Sequence, residues 1–243
     1  MTEWGEDLAE WWLGEVSSDP AYAEEVMPLA LAMLRPEPGL TYLDLGCGEG
    51  RLLEALVATG ARAVGVDASP RLAGQASQVA PVVVGSLPDL GFIRDRSVDG
   101  VAIVLVMEHL TGWDRLFAEA ARVTRRDGVL SMVINHPLIT APGSAPVIDP
   151  DDGEVLWRWG GYFSGGFTEE AAGALTLRFH HRTISELLGG AAAAGWSLEV
   201  IDEMSVGPVR AAGDPILAAQ IELPRLLAAR WRRVIPARAV PTR

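Results

Sequence analysis

The sequence predicts an α/β protein built on parallel strands, and three stretches carry that prediction. Gly39-Leu40-Thr41-Tyr42 leads into a short apolar run that meets Gly46-Cys47-Gly48-Glu49-Gly50, and a helical period starts at Arg51. This is a strand, a tight glycine turn and a helix. Ala61 to Val66 is a second short apolar run, ending in Asp67 about twenty residues past the glycine turn. Val98 to Val106 is too continuously apolar for a half-exposed strand and reads as one buried on both faces.

The glycine turn is the centre of the chain. Without a Cβ the backbone bends sharply and comes close to a ligand. Amides at the start of the following helix favour negative or polar groups. Loops at the carboxyl ends of parallel strands are where ligands sit. The dinucleotide fingerprint is G-x-G-x-x-G, but Arg51 stands where its third glycine would be. The spacing found is Asp44-x-Gly46-x-Gly48-x-Gly50, with an acid at the end of the strand.

Composition bounds the class. The chain has 243 residues, 49% of them hydrophobic, enough for one domain with a sizeable core. Charges and glycines interrupt every apolar stretch, so no membrane span is expected. The acidic start lacks the basic and apolar parts of a secretory signal. Cys47, the one cysteine, has no disulfide or zinc-type partner, so a cytoplasmic protein without metal is expected. A net charge of -12 argues against nucleic acid. Every basic residue is arginine, and the cluster Arg225, Arg230, Arg232, Arg233, Arg238 and Arg243 is expected to face water. Oligomeric state has no signature.

The remaining elements follow in order. Trp4, Leu8, Trp11 and Trp12 share a helical stripe. Asp19-Pro20 opens a helix from about Ala21 to Leu34, with Tyr22 in its first turn. Ser69-Pro70 opens another, and Pro81 to Pro88 holds a third strand and its exit. Thr111 to Asp114 is expected to be a capping box for a helix from Trp113 to Val123, before a strand from Val129 to Asn135. His136 to Arg182 is long and rich in proline and glycine, with Trp157, Trp159, Tyr162, Phe163 and Phe167 able to wall an apolar pocket. Thr183 and Glu186 form a second capping box, and Gly195-Trp196 begins a sixth strand. By propensity Ile221 to Arg233 is helix.

The string Leu43-Asp44-Leu45-Gly46-Cys47-Gly48-Glu49-Gly50 resembles the first motif of the class I S-adenosylmethionine-dependent methyltransferases. Val106-Met107-Glu108-His109-Leu110, Arg125-Arg126-Asp127-Gly128 and His180-His181-Arg182-Thr183-Ile184-Ser185 resemble further segments of its bacterial small-molecule (type 11) group. The resemblance covers nearly the whole chain and implies one Rossmann-like domain over 1–243. Its seven-stranded sheet would be mostly parallel, with the antiparallel last strand at 221–233. Helices in 1–38 would cover the cofactor, and 136–182 would form a lid over the acceptor. It implies S-adenosylmethionine as cofactor, S-adenosylhomocysteine as product and no metal. The cofactor residues would be Tyr22, Asp44, Gly46, Cys47, Gly48, Gly50, Asp67, Ala68, Ser86, Leu87, Val106 and Met107. Asp67 would accept the ribose hydroxyls. Ser86 stands where the group often has an acid near adenine.

The sequence lacks the Asn/Asp-Pro-Pro-Tyr that base-modifying relatives carry after the fourth strand, so a nucleobase acceptor is not expected; the aromatics of 136–182 and the resemblance imply a small aromatic or apolar metabolite instead. Methyl transfer needs alignment and, for a protonated acceptor, a base. His181 and His136 lead as candidates, with His109 third. Two other readings stay open: an NAD-dependent oxidoreductase, which shares the glycine loop and Asp67, and a non-catalytic S-adenosylmethionine-binding regulator or scaffold.

Overall fold

The computed structural model of the chain describes residues 4–16 and 19–234. The start of the acidic N-terminus, Met1 to Glu3, and Arg238 and Arg243 of the arginine cluster lie outside the described residues.

A first helix, α1 (Glu6–Trp11), runs into a π-helical turn at Trp12–Val16. The Asp19 carboxylate accepts from the Ala21 amide, as expected of a cap. The helix it opens has two parts, a π-helical turn at Tyr22–Val26 and α2 (Met27–Leu34). Such wide turns bring an extra residue onto one face and cluster at functional positions. Here the turn carries Tyr22.

The α/β core then follows: β1 (Thr41–Leu45), α3 (Arg51–Ala58), β2 (Arg62–Asp67), α4 (Pro70–Ala76), β3 (Val82–Val84) and β4 (Val98–Val104). Next come α5 (Trp113–Val123), β5 (Thr124–Asn135) and the short α6 (Pro137–Thr140). The stretch after β5 folds as two hairpins, β6 (Ala145–Ile148) with β7 (Val155–Arg158), and β8 (Gly166–Ala172) with β9 (Leu175–His181). The chain ends with α7 (Ile184–Ala193), β10 (Trp196–Met204), α8 (Pro208–Ala211), α9 (Pro215–Ala218) and β11 (Leu226–Arg233).

Seven strands form one sheet in the order β10-β11-β5-β4-β1-β2-β3. Pairing is parallel except along β11, which runs antiparallel to both neighbours. Within 221–233 the strand Leu226–Arg233 therefore corrects the propensity reading. Its Leu, Ala and Arg residues favour helix in isolation, but between β5 and β10 both backbone edges find partners. One face of the sheet packs on α5 and α7 through Leu116, Phe117 and Leu187. The other packs on α2 and α3 through Met33, Leu34 and Leu53. The strand order turns back between β1 and β4, which opens a crevice at their carboxyl ends.

The two capping boxes have different outcomes. At Thr183 the box is complete, with Thr183 Oγ1 accepting from the Glu186 amide and Glu186 accepting from the Thr183 amide. At α5 it is absent. Gly112 takes the cap position, so no side chain caps the helix there.

Candidate active site

A cavity of about 400 Å3 fills the crevice at the tips of β1, β2 and β4, within the usual range of about 300–1,000 Å3 for small-molecule sites. Asp44, Gly46, Cys47 and Gly48 line it from the first strand and its loop, and Asp67 and Ala68 from the second. Leu87 lines it from beyond β3, and Leu105 and Val106 from beyond β4. Trp4, Trp12 and Tyr22 cover it from the N-terminal segment, and His109, Leu110, Thr111 and His180 close the far end.

The loop turns at Gly46 (φ +75°) and Gly50 (φ +97°), both in the left-handed region. A Cβ at Gly46 would stand 2.3 Å from Val106 Cγ2, so only glycine lets the loop lie against that strand end. Four of its amides are engaged within the protein. Gly46 and Cys47 donate to the Val66 carbonyl and Gly50 to that of Cys47. Gly48 donates to Asp67 Oδ2 at 2.8 Å. The other oxygen of Asp67 accepts from the Ser69 amide at 2.8 Å, while Ser69 caps α4. One of these donors, the Gly48 amide, is thus spent on the protein's own acid.

Three acids, Asp44, Glu49 and Asp67, line the cavity, with Arg51 beside them. Asp44 is buried, has no hydrogen-bond donor among the described residues, and is pushed up to about 8 by desolvation and by the nearby Asp67 carboxylate. Burial raises Asp67 too, against the pull of its amide donors. Glu49 is held by the Arg51 guanidinium at 2.7 Å and by Trp12 Nε1 at 2.7 Å. Trp12 meets the Tyr22 ring edge-on, and Arg51 lies over that ring. Burial keeps the Tyr22 hydroxyl protonated well above its ordinary range. The Cys47 thiol, also raised by burial, lies behind the loop.

The cofactor residues expected from the sequence mostly converge. Tyr22, Asp44, Gly46, Cys47, Gly48, Asp67, Ala68, Leu87 and Val106 line the cavity. Gly50 shapes the turn without lining it. Ser86 is exposed and outside the lining, and the Met107 side chain is buried in the core beneath α5.

The candidate bases separate. His136 caps α6, with Nδ1 accepting from the Leu138 amide and Nε2 donating to Glu203 at 2.7 Å. Burial holds its pKa low. His181 is buried between the Thr140 hydroxyl and the Tyr162 carbonyl. Neither lines the cavity. His109 does, with Nδ1 3.0 Å from the Arg178 carbonyl. A carbonyl only accepts, so Nδ1 carries a hydrogen. His180 also lines the cavity and was not singled out by the sequence. Neighbours in a strand point to opposite sides, so one histidine of the pair had to face away; the sequence does not say which.

The aromatics of the long segment after β5 do not wall the cavity. Trp159 and Phe163 are exposed, and Tyr162 pins α7 by accepting from the Ile184 amide. Among the described residues of 136–182, His180 alone lines the cavity. The cavity's aromatic cover comes instead from Trp4, Trp12 and Tyr22. Among the described residues no helix is long and apolar enough to cross a membrane, and no cluster of three metal-ligating side chains occurs.

Residues 43–132 match the family described as a methyltransferase domain. A ubiquinone biosynthesis O-methyltransferase of Hahella chejuensis is 32% identical over 131 residues, covering 49% of this chain and 54% of that one. The chain thus spans about half the length of the curated relatives it matches. A crystal structure of an S-adenosylmethionine-dependent methyltransferase from Mesorhizobium loti superposes with a TM-score of 0.75. It is 25% identical, over 85% of this chain and 96% of that one. The 1,6-didemethyltoxoflavin-N1-methyltransferase of Burkholderia thailandensis, solved with S-adenosylhomocysteine bound, shares the fold. Its TM-score is 0.57 at 17% identity, over 91% of this chain and 82% of that one.

Proposed function

We propose that this chain, whose residues 43–132 match a methyltransferase domain, is a class I S-adenosylmethionine-dependent methyltransferase that moves a methyl group from S-adenosylmethionine to O, N or C of a small aromatic or apolar acceptor. One observation carries the choice of cofactor. The cavity joins unpaired acid at Asp44 to aromatic faces at Trp12 and Tyr22, and the Gly48 amide is spent on Asp67. A cationic nucleoside suits such walls, whereas the pyrophosphate of NAD needs free loop amides and meets repulsion here.

When bound, the sulfonium supplies an activated methyl group. The protein's part is to bind, orient and exclude water. Asp67 keeps acceptor capacity beyond its two amide donors and serves the ribose hydroxyls. Leu87 and Leu72 give the base an apolar seat, and Glu49 with Arg51 frames the zwitterionic end. Trp4, Leu110 and Thr111 bound the acceptor end beside the two imidazoles, His109 and His180. Alignment in a dry site is the main contribution, up to roughly 7–11 kcal/mol for well-oriented reactants. A cavity imidazole takes the proton of a hydroxyl acceptor.

Calorimetry tests the reading. S-adenosylmethionine should bind, NAD should not, and Asp67→Asn should weaken the former about tenfold or more, as expected for a lost charge-assisted hydrogen bond. Binding of NAD in place of S-adenosylmethionine would reject the assignment.

A further inference from the structure

The walls of the cavity differ in how firmly they are held. The strand ends beneath it belong to a sheet packed on two large cores. The N-terminal segment carrying Trp4 and Trp12 rests instead on a small separate cluster of Leu8, Ala172 and Leu177. Arg71 and Glu10 add an ion pair at 3.8 Å, but both are exposed, and such pairs contribute little. Segments with so little buried apolar support open more readily than a core. Against this light support stands one short bond from roof to floor. Trp12 Nε1 donates to Glu49 Oε2 at 2.7 Å, and Arg51 Nε donates to the other oxygen at 2.7 Å. Both distances are those of charge-assisted hydrogen bonds. From Trp12 the rings continue edge-on, to Tyr22 on one side at 5.6 Å and to Trp4 on the other at 5.7 Å. Trp4 then meets His109 at 5.6 Å, and His109 meets Phe179 of β9 at 4.9 Å. Four of these five rings line the cavity, so the file crosses it from the glycine loop to the β8–β9 hairpin.

We propose that the Trp12–Glu49 hydrogen bond is the latch of a lid formed by the N-terminal segment, and that the ligand enters and leaves when it releases. Glu49 is then a positioning residue, which acts on ligand exchange by holding Trp12 over the cavity. Release leaves no charge stranded, because Glu49 keeps Arg51 as its partner while Trp12 Nε1 passes to water. It also leaves both main cores intact, so opening is a local event. Trp12 and Tyr22 each stand first in a π-helical turn, Trp12–Val16 and Tyr22–Val26, a form that recurs at functional positions. The latch is closed without a ligand, and Trp12 keeps the same partner beneath it when the roof is shut over one. Its strength therefore sets how fast the cavity exchanges its contents more than how tightly it holds them. Lids of this kind commonly govern turnover through product release.

The proposal rests on the methyltransferase reading for the identity of the ligand, and its test separates the two. Surface plasmon resonance with S-adenosylhomocysteine on the immobilised protein gives both rate constants. Trp12→Phe keeps an aromatic ring and removes the donor. It should raise kon and koff together, each by about tenfold, with Kd changed by less than about threefold, the order expected for a lost charge-assisted bond present in both closed states. Loss of a mere ligand contact would raise koff alone, and a loosened fold would lower kon. Either result, or unchanged rates, would overturn the latch. Glu49→Ala should show the same rise in kon and takes the place of Trp12→Phe if that variant does not fold. In the ligand-free protein the Trp12 indole hydrogen should exchange with solvent more slowly than that of free tryptophan, and Glu49→Ala should remove the difference. Exchange indifferent to Glu49 would also overturn the latch. That measurement needs no ligand. If neither S-adenosylmethionine nor S-adenosylhomocysteine binds, the methyltransferase reading falls, and indole exchange still decides the latch.

Discussion

At the scale of single residues, Asp44 makes the site sensitive to pH. Its carboxyl, with a value of about 8 against an ordinary 3.8, is mostly protonated at neutrality. A cationic ligand favours the ionised form, so binding releases a proton. Affinity for S-adenosylmethionine should rise with pH by up to about tenfold per unit and level off above 8; calorimetry in buffers of different ionisation enthalpy would measure the released proton. The sign for stability is opposite. The unfolded chain ionises this group near its ordinary value while the native one keeps its proton. The group's contribution is therefore fullest at acid pH, falls as pH rises toward 8, and is constant beyond. Asp44→Asn should abolish both dependences. His136 and His181 belong to a different class of residue. Both ring nitrogens of each are bound to the protein, so alanine at either should cost about 1–3 kcal/mol in denaturant unfolding. Turnover per folded molecule should change little.

At the scale of elements, the unit of β1, loop and α3 is the one whose sequence states its own geometry. Gly46→Ala should abolish binding of S-adenosylmethionine by calorimetry, because the added carbon would meet Val106 at 2.3 Å. Thr183→Ala removes one half of a complete capping box and should cost about 1 kcal/mol on thermal or denaturant unfolding. The loop was legible because few backbones need glycine at alternate positions, and Asp67 because an acid at a strand tip stands out. Other parts were written in a weaker code. The strand β11 draws its stability from two neighbours distant in sequence, which local propensity does not contain. Thr111 had the residue types of a cap, yet Gly112 sits where the cap belongs. The aromatics of 157–167 had the composition of a pocket wall, but composition does not say which way a hairpin turns. Trp4 and Trp12 share a helical stripe with Leu8 and Trp11, and the pattern could not say which would meet the cavity and which the hairpin.

At the scale of the whole molecule, the cover of the cavity is assembled from distant parts of the chain. Leu8 packs with Ala172 and Leu177 of the β8–β9 hairpin, with Trp4, Trp11 and Phe179 around them. Trp4 and Phe179 both meet the His109 ring, at centroid distances of 5.6 and 4.9 Å. The hairpin thus supports the N-terminal helix, and that helix carries the tryptophans over the ligand. Leu8→Ala removes a buried side chain that does not line the cavity. It should nevertheless weaken S-adenosylmethionine binding several-fold in a calorimetric titration, because loosening the small cluster releases the cover. The main sheet, with its own two cores, should keep its unfolding midpoint to within a few degrees.

Cys47 is the one sulfhydryl in the chain and sits at the back of the glycine loop, 7% exposed and made less acidic by its surroundings. Alkylating reagents attack the thiolate and need access to it, so the rate at which this atom is labelled is a clock for how often the loop lifts. No other cysteine obscures the signal. An occupant in the cleft should slow that clock, which would make the native protein its own reporter of occupancy without any added dye.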